Sequence, residues 1–190
     1  MDEETKKEVA KEMKKTRDLP RRHASFFNSH NKESKEIFIC SESIKYLESE
    51  KGASFDKLYL GEDPPDCVVV SGSEEIAIEV VELVDQEAIE KQIKFNLAYP
   101  EQREWTTTRF MEHLNKLIQA KDNPENIEIL KKKYQRYIAL IHTDEPELRT
   151  EEFERLFNPV GLEATNLVSE AYLLFSYDPR VNKCPVKRLI

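Results

Sequence analysis

Glycine is scarce, with four residues in 190. Phosphate-cradling loops of the GxGxxG kind and P-loops need several glycines close together, so neither can dominate the chemistry of this chain. Cysteine is scarcer still: Cys40, Cys67 and Cys184 are odd in number, far apart and without a CxxC pair. That excludes a disulfide framework and a zinc ribbon, and a reducing cytoplasm is the expected compartment. No run approaches the roughly 20 apolar residues of a membrane span, and the opening MDEETKKEVAKEMKKTR lacks an export-type apolar stretch, so no membrane partner is expected. Positive charge is not in excess either, since 29 Lys and Arg stand against 37 Asp and Glu for a net charge of −8. A protein that coats nucleic acid by bulk charge is thereby excluded, while a local basic groove is not. His23, His30, His113 and His142 show no HxH or HExxH spacing, which removes support for a zinc hydrolase, and no nucleophile triad can be assembled.

What remains is enough apolar sequence for one core. Hydrophobic residues make up 39% and charged residues 35%, a balance that suits a single domain of ordinary size with a very polar surface. Residues 1–18 set charges at helical spacing with almost no apolar face, and Leu19-Pro20 ends that pattern. The expected organisation is a charged helix and loop over 1–31, then one α/β domain over 32–190. Ile37, Cys40, Ile44 and Leu47 recur at helical spacing and predict a helix over 32–50 that Gly52 ends. Three apolar runs follow at 57–60, 67–70 and 75–84, read as sequential strands. Helices are expected over 86–99 and about 104–121, a strand over 137–142, a helix over 150–157 with Thr150 as N-cap, and a strand over 171–177. Ser71-Gly72-Ser73 makes the early strands antiparallel, and helical crossovers make the later ones parallel. The fold class expected is a mixed central β-sheet flanked by helices.

The chemistry-bearing stretch is PPDCVVVSGSEEIAIEVVELVD. If 71–74 is the hairpin loop, Val70 faces Glu75 and partner numbers sum to 145, which sets Asp66 opposite Glu79. Opposed residues in an antiparallel pair have Cβ atoms about 4.5–5.5 Å apart, close enough for both carboxylates to hold one divalent cation. Without a cation the pair repels. Mg²⁺ takes one or two carboxylates and keeps several waters, which matches this supply. The plain alternative is a polar strand start beside a charge at a sheet end.

Pro65-Asp66, the hairpin and Glu79-Val80-Val81 resemble the PD-(D/E)xK motif of the restriction-endonuclease-like superfamily. The order of a helix, three strands, a helix and later strands is similar over about 32–177. IEVVELVDQEAIEKQ and EWTTTRFMEHLNKLIQAKD are also similar to members that inform on fold rather than reaction. The resemblance implies a nuclease that hydrolyses phosphodiester bonds in DNA with Mg²⁺ or Mn²⁺. Asp66, Glu79 and the Val80 carbonyl would be ligands, and Glu36 an additional acidic residue near the metal. Glu36 also reads as a solvated helix residue.

Val81 stands where the superfamily carries its motif Lys. A cation from another element could replace it, and the candidates are Lys91 and Lys121, with Gln92 able to orient water or phosphate without charge. From Phe110 to Lys121 is about 1100° of helical rotation at roughly 100° per residue, so Lys121 returns to within about 20° of the apolar face. Lys121 equally reads as a charge favourable to a helix C-terminus. Lys131, Lys132, Lys133 and Arg136 could contact nucleic-acid phosphates, as could Arg180, Lys183, Lys187 and Arg188, though such runs also occur as solvated faces. Loss of the motif Lys leaves a second expectation, a nuclease-fold domain without catalysis that binds nucleic acid or a protein. Double-strand cleavage would favour a two-fold homodimer.

Overall fold

The structure is a computed structural model that describes residues 32–95, 104–122, 125, 127–145 and 147–190. The expected helix and loop over 1–31, with His23 and His30, lie outside the described residues. Among the described residues the chain order is α1 (Lys32–Lys51), β1 (Lys57–Leu60), β2 (Cys67–Ser71), β3 (Glu74–Glu82), α2 (Gln86–Phe95), α3 (Thr107–Asp122), α4 (Ile127–Lys133), β4 (Arg136–Thr143), α5 (Thr150–Leu156), a 3₁₀ turn (Pro159–Gly161), β5 (Glu170–Phe175) and β6 (Val186–Arg188). The strands form one sheet in the order β1-β2-β3-β4-β5-β6. β1, β2 and β3 pair antiparallel, β3, β4 and β5 pair parallel, and β6 returns antiparallel on β5. This is the mixed, helix-flanked sheet that the strand spacing predicts.

Alternation along the strands sorts the core into two faces. On one, Ile39, Cys40 and Leu47 of α1 pack over Cys67, Val69, Ile76, Ile78, Ile138, Leu140 and Leu174. On the other, Phe110, Met111, Leu114 and Ile118 of α3 and Phe153 and Leu156 of α5 cover Val68, Ala77, Ala139, Ile141, Ala171 and Leu173. Burying each large apolar side chain contributes about 1.5–3 kcal/mol, so these faces fix where the helices sit. Trp105 and Phe110 meet edge to face at 6.3 Å within this layer. Cys40 and Cys67 are buried thiols, and their mutual hydrogen bond together with burial pushes Cys40 far above the usual thiol range.

Several boundaries differ from expectation. The β2–β3 loop is shorter than 71–74, because Ser71 and Glu74 already pair and the turn is Gly72-Ser73, with Gly72 at φ +60°. β3 stops at Glu82, and Asp85 then caps α2 by accepting from the Ala88 N–H at 3.2 Å. α3 starts at Thr107 rather than near Glu104, since the Thr106 hydroxyl accepts from the Arg109 N–H at 3.3 Å. α2 is described to Phe95, and the rest of the expected stretch to Tyr99 lies outside the described residues. Thr150 is the first residue of α5 and not its cap; Arg149 holds that position with no side-chain cap. α4 and β6 went unexpected.

His142, on β4, is 2% exposed and lies on the α1 side of the sheet near Lys35. Burial, helped by the Lys35 charge, pushes its pKa down to about 3 from 6.5. The unfolded chain therefore takes the proton first, so this contribution to stability is whole above pH 6.5 and is lost as pH falls toward 3. At pH 5 the loss is about 2 kcal/mol relative to pH 8. Denaturant unfolding at the two pH values is expected to show a loss about that much larger in the wild type than in His142→Gln. Equal losses would refute the assignment.

Candidate functional site

The β2–β3 ladder runs with partner numbers summing to 145 and ends at Cys67 opposite Ile78. Asp66 and Glu79 are the next positions, so they sit where pairing stops. Gly61 makes this possible: a side chain there would meet the Pro65 carbonyl oxygen at 1.9 Å, and its N–H donates to the Asp66 carbonyl at 2.8 Å. The chain between β1 and β2 thus folds tightly back, carrying Asp66 to the end of the ladder. Asp66 and Glu79 are both buried, at 7% and 4% exposure.

Asp66 continues the lost pairing with its side chain, since Oδ2 accepts from the Val80 N–H at 2.8 Å. Leu83 N–H donates across to the His142 carbonyl on β4 at 2.8 Å, and alternation turns the N–H and C=O of Val80 the opposite way. Both therefore face the space past the end of β2, on the side of Asp66. The Lys32 ammonium, at the start of α1, lies 3.8 Å from Asp66 Oδ1, 3.4 Å from Glu36 and 3.7 Å from Asp63. Glu36 is buried rather than solvated and lies within hydrogen-bonding reach of Asp66. Burial first, then the Asp66 charge, raises the Glu36 pKa above the ordinary carboxylate value.

Glu79 is held from two further elements. Lys121 Nζ, on the last turn of α3, donates to Oε2 at 2.5 Å, and the Tyr137 hydroxyl of β4 donates to Oε1 at 2.9 Å. The parallel register sets Glu79, Ala139 and Ala171 in one row across the sheet. These small residues lie under α3, and a close helix lets a lysine from its end reach the strand. Burial raises the Glu79 pKa and Asp66 adds to the rise, against the pull of Lys121 and Tyr137. The Tyr137 hydroxyl is likewise pushed up, first by burial and then by the Glu79 charge.

The end of α3 is itself anchored. Asp122 is 2% exposed, and its carboxylate accepts from the backbone N–H groups of Asn166, Leu167 and Val168, each at 2.7 Å. A carboxylate bound by three N–H groups is a strong, geometrically specific tie, and it fixes the turn from which Lys121 extends.

Of the two lysines considered for the missing motif cation, Lys121 is the one that meets Glu79; Lys91 is half-buried on α2, and the Gln92 side chain lies outside the described residues. Val81 lies two residues beyond Glu79 and packs at the edge of the α3-side core. The basic residues do not form one free groove. Lys131 and Lys132 are exposed on α4, Lys133 lies 3.2 Å from Glu62, and Arg136 is bound to Glu170 at 2.5 Å. Arg180 pairs with Asp178 and Glu151, Lys183 lies near Glu50, and Lys187 meets Glu154. His113 packs on Trp105 at 5.2 Å and contacts the Arg109 carbonyl, a structural place.

Among the described residues, no group of three or more His, Cys, Asp or Glu side chains is set to hold a metal ion. A cation at Asp66 and Glu79 would have two carboxylates, the Val80 carbonyl and water, a donor set that suits Mg²⁺ or Mn²⁺. The residues fit such an ion on this ground and on charge: the Asp66 carboxylate adds to the cost of ionising buried Glu79, a cost that the Lys121 ammonium and the Tyr137 hydroxyl offset in part. Also among the described residues, no helix is long and apolar enough to cross a membrane. Compared with protein-family models, curated proteins and solved structures, the chain matches none.

Proposed function

We propose that this chain is a restriction-endonuclease-like nuclease that hydrolyses DNA phosphodiester bonds with Mg²⁺ or Mn²⁺ bound by Asp66, Glu79 and the Val80 carbonyl. One observation carries the reading: Asp66 and Glu79 converge at the end of the ladder, and Lys121 reaches Glu79 from a different element than the motif lysine would. The order of helix, three strands, helices and strand supports it, as does the resemblance of Pro65-Asp66 and Glu79-Val80-Val81 to the motif.

When bound, the cation would polarise the phosphate, lower the pKa of a water and stabilise the leaving oxygen. The chain supplies the rest. Asp66, fixed by the Val80 N–H, and Glu79, fixed by the Tyr137 hydroxyl, orient their oxygens without further movement. Lys121, about a quarter exposed, places an ammonium beside Glu79 where it can offset charge gathering on phosphate oxygens. Lys131 and Lys132 are exposed for phosphate contacts that position a duplex without reading it.

Supercoiled plasmid incubated with the purified chain is expected to be nicked in Mn²⁺ or Mg²⁺ and left intact in EDTA. Intact plasmid in all three, with salt-dependent retardation of DNA, would replace hydrolysis by the binding role that Val81 in place of Lys suggests.

A further inference from the structure

The two ammonium groups at the acidic cluster are held very differently. Lys121 is 27% exposed and lies 2.5 Å from Glu79. Lys32 is 70% exposed and lies 3.4–3.8 Å from Glu36, Asp63 and Asp66. Exposed ion pairs at such distances are weak and readily exchanged, because water screens them and a long side chain must be ordered to make them. Yet the Asp66 carboxylate beneath Lys32 is 6% exposed and already anchored at Oδ2, so Oδ1 is the oxygen that points toward Lys32. A monovalent ammonium therefore stands at the oxygen on which a divalent cation would bind.

We propose that Lys32 is a positioning residue that holds Asp66, with Glu36 and Asp63, in the cation-free state and must be exchanged for the divalent cation. The proposal rests on the metal reading above. Its consequence is a built-in competition. Part of the cation's attraction for Asp66 is spent displacing Lys32, so apparent affinity is lower than two carboxylates and a carbonyl would give alone. Lys121 is not part of this exchange, since its contact is short and lies on the other carboxylate. The distance from Lys32 to solvent is no obstacle, because its side chain already lies mostly in water.

The test is calorimetric titration of Mn²⁺ into the full chain. Lys32→Gln is expected to bind about threefold to tenfold more tightly than wild type, the effect of removing one unit charge about 4 Å away in a largely aqueous setting. Lys45→Gln makes the same change in net charge on α1, where Lys45 pairs with Glu42. At about 1.5 Å of rise per residue it stands roughly 20 Å along the helix from Lys32, beyond the roughly 8–10 Å screening length, and is expected to match wild type within about twofold. Asp66→Asn is expected to lose binding. If Asp66→Asn loses binding while Lys32→Gln equals wild type, the exchange is refuted and the metal reading survives. Equal tightening in Lys32→Gln and Lys45→Gln also refutes it, since net charge then suffices. If neither wild type nor Lys32→Gln binds Mn²⁺, both readings fail. Thermal unfolding of each variant near the wild-type midpoint confirms that these substitutions leave the fold in place.

Discussion

Glu79→Gln is expected to reduce plasmid nicking by at least about a thousandfold while leaving the fold as stable as wild type or more so. The loss follows from removing one of two carboxylate ligands, and a thousandfold corresponds to about 4 kcal/mol of barrier. The stability follows from burial. Glu79 is 4% exposed, and its pKa is raised chiefly because the interior disfavours its charged form. Glutamine keeps the volume, its amide oxygen can still accept from the Tyr137 hydroxyl, and Lys121 is exposed enough to turn to water. Nicking rates and denaturant midpoints for one preparation give both numbers. A variant that loses activity because it unfolds would contradict the assignment of Glu79 to the chemistry.

Lys121→Met is expected to show the opposite pairing of effects, with nicking down about a hundredfold and stability down about 2–3 kcal/mol at neutral pH. Removing the ammonium leaves Glu79 buried with Tyr137 as its remaining polar partner from the cluster, and an uncompensated buried charge is far more costly than a missing pair. The sign with pH is fixed. Losing Lys121 raises the Glu79 pKa further, so the penalty is present at high pH and relieved as pH falls and Glu79 protonates. Adding Glu79→Gln to Lys121→Met should restore stability without restoring nicking. A single Lys121→Met variant with wild-type nicking would return Lys121 to a plain structural role.

The register of β2 on β3 is legible in the sequence, because a short Ser-Gly-Ser connection and strict alternation leave few ways to pair two strands. That register is what set Asp66 opposite Glu79. Lys121 was partly legible: helical rotation put it on the apolar face of α3, but its reach to Glu79 depends on Ala139 and Ala171 lying in the same row, which needs the parallel pairings. Tyr137 was not found for the same reason. Among the described residues three helices lie between β3 and β4, so no local turn fixes their register, and nothing in YIALIH says which strand position its hydroxyl will meet. A buried tyrosine hydroxyl generally needs a partner, and that was the one available signal. Lys32 gave no signal beyond its place at the start of a helix, and Asp122 acts on a segment more than forty residues away in the chain. α4 and β6 escaped because they are short, and β6 lies at the sheet edge with three residues. Thr150 suits a cap by residue type alone, whereas the chain enters α5 through Arg149 in extended backbone.

Manganese binding measured by electron paramagnetic resonance tests the central claim without interference from traces of contaminating nuclease. Free Mn²⁺ gives a sharp signal that is expected to fall as wild-type protein is added and to stay undiminished when the Asp66→Asn/Glu79→Gln double variant is added instead. An identical fall with both proteins, or none with either, would contradict a cation site built on Asp66 and Glu79.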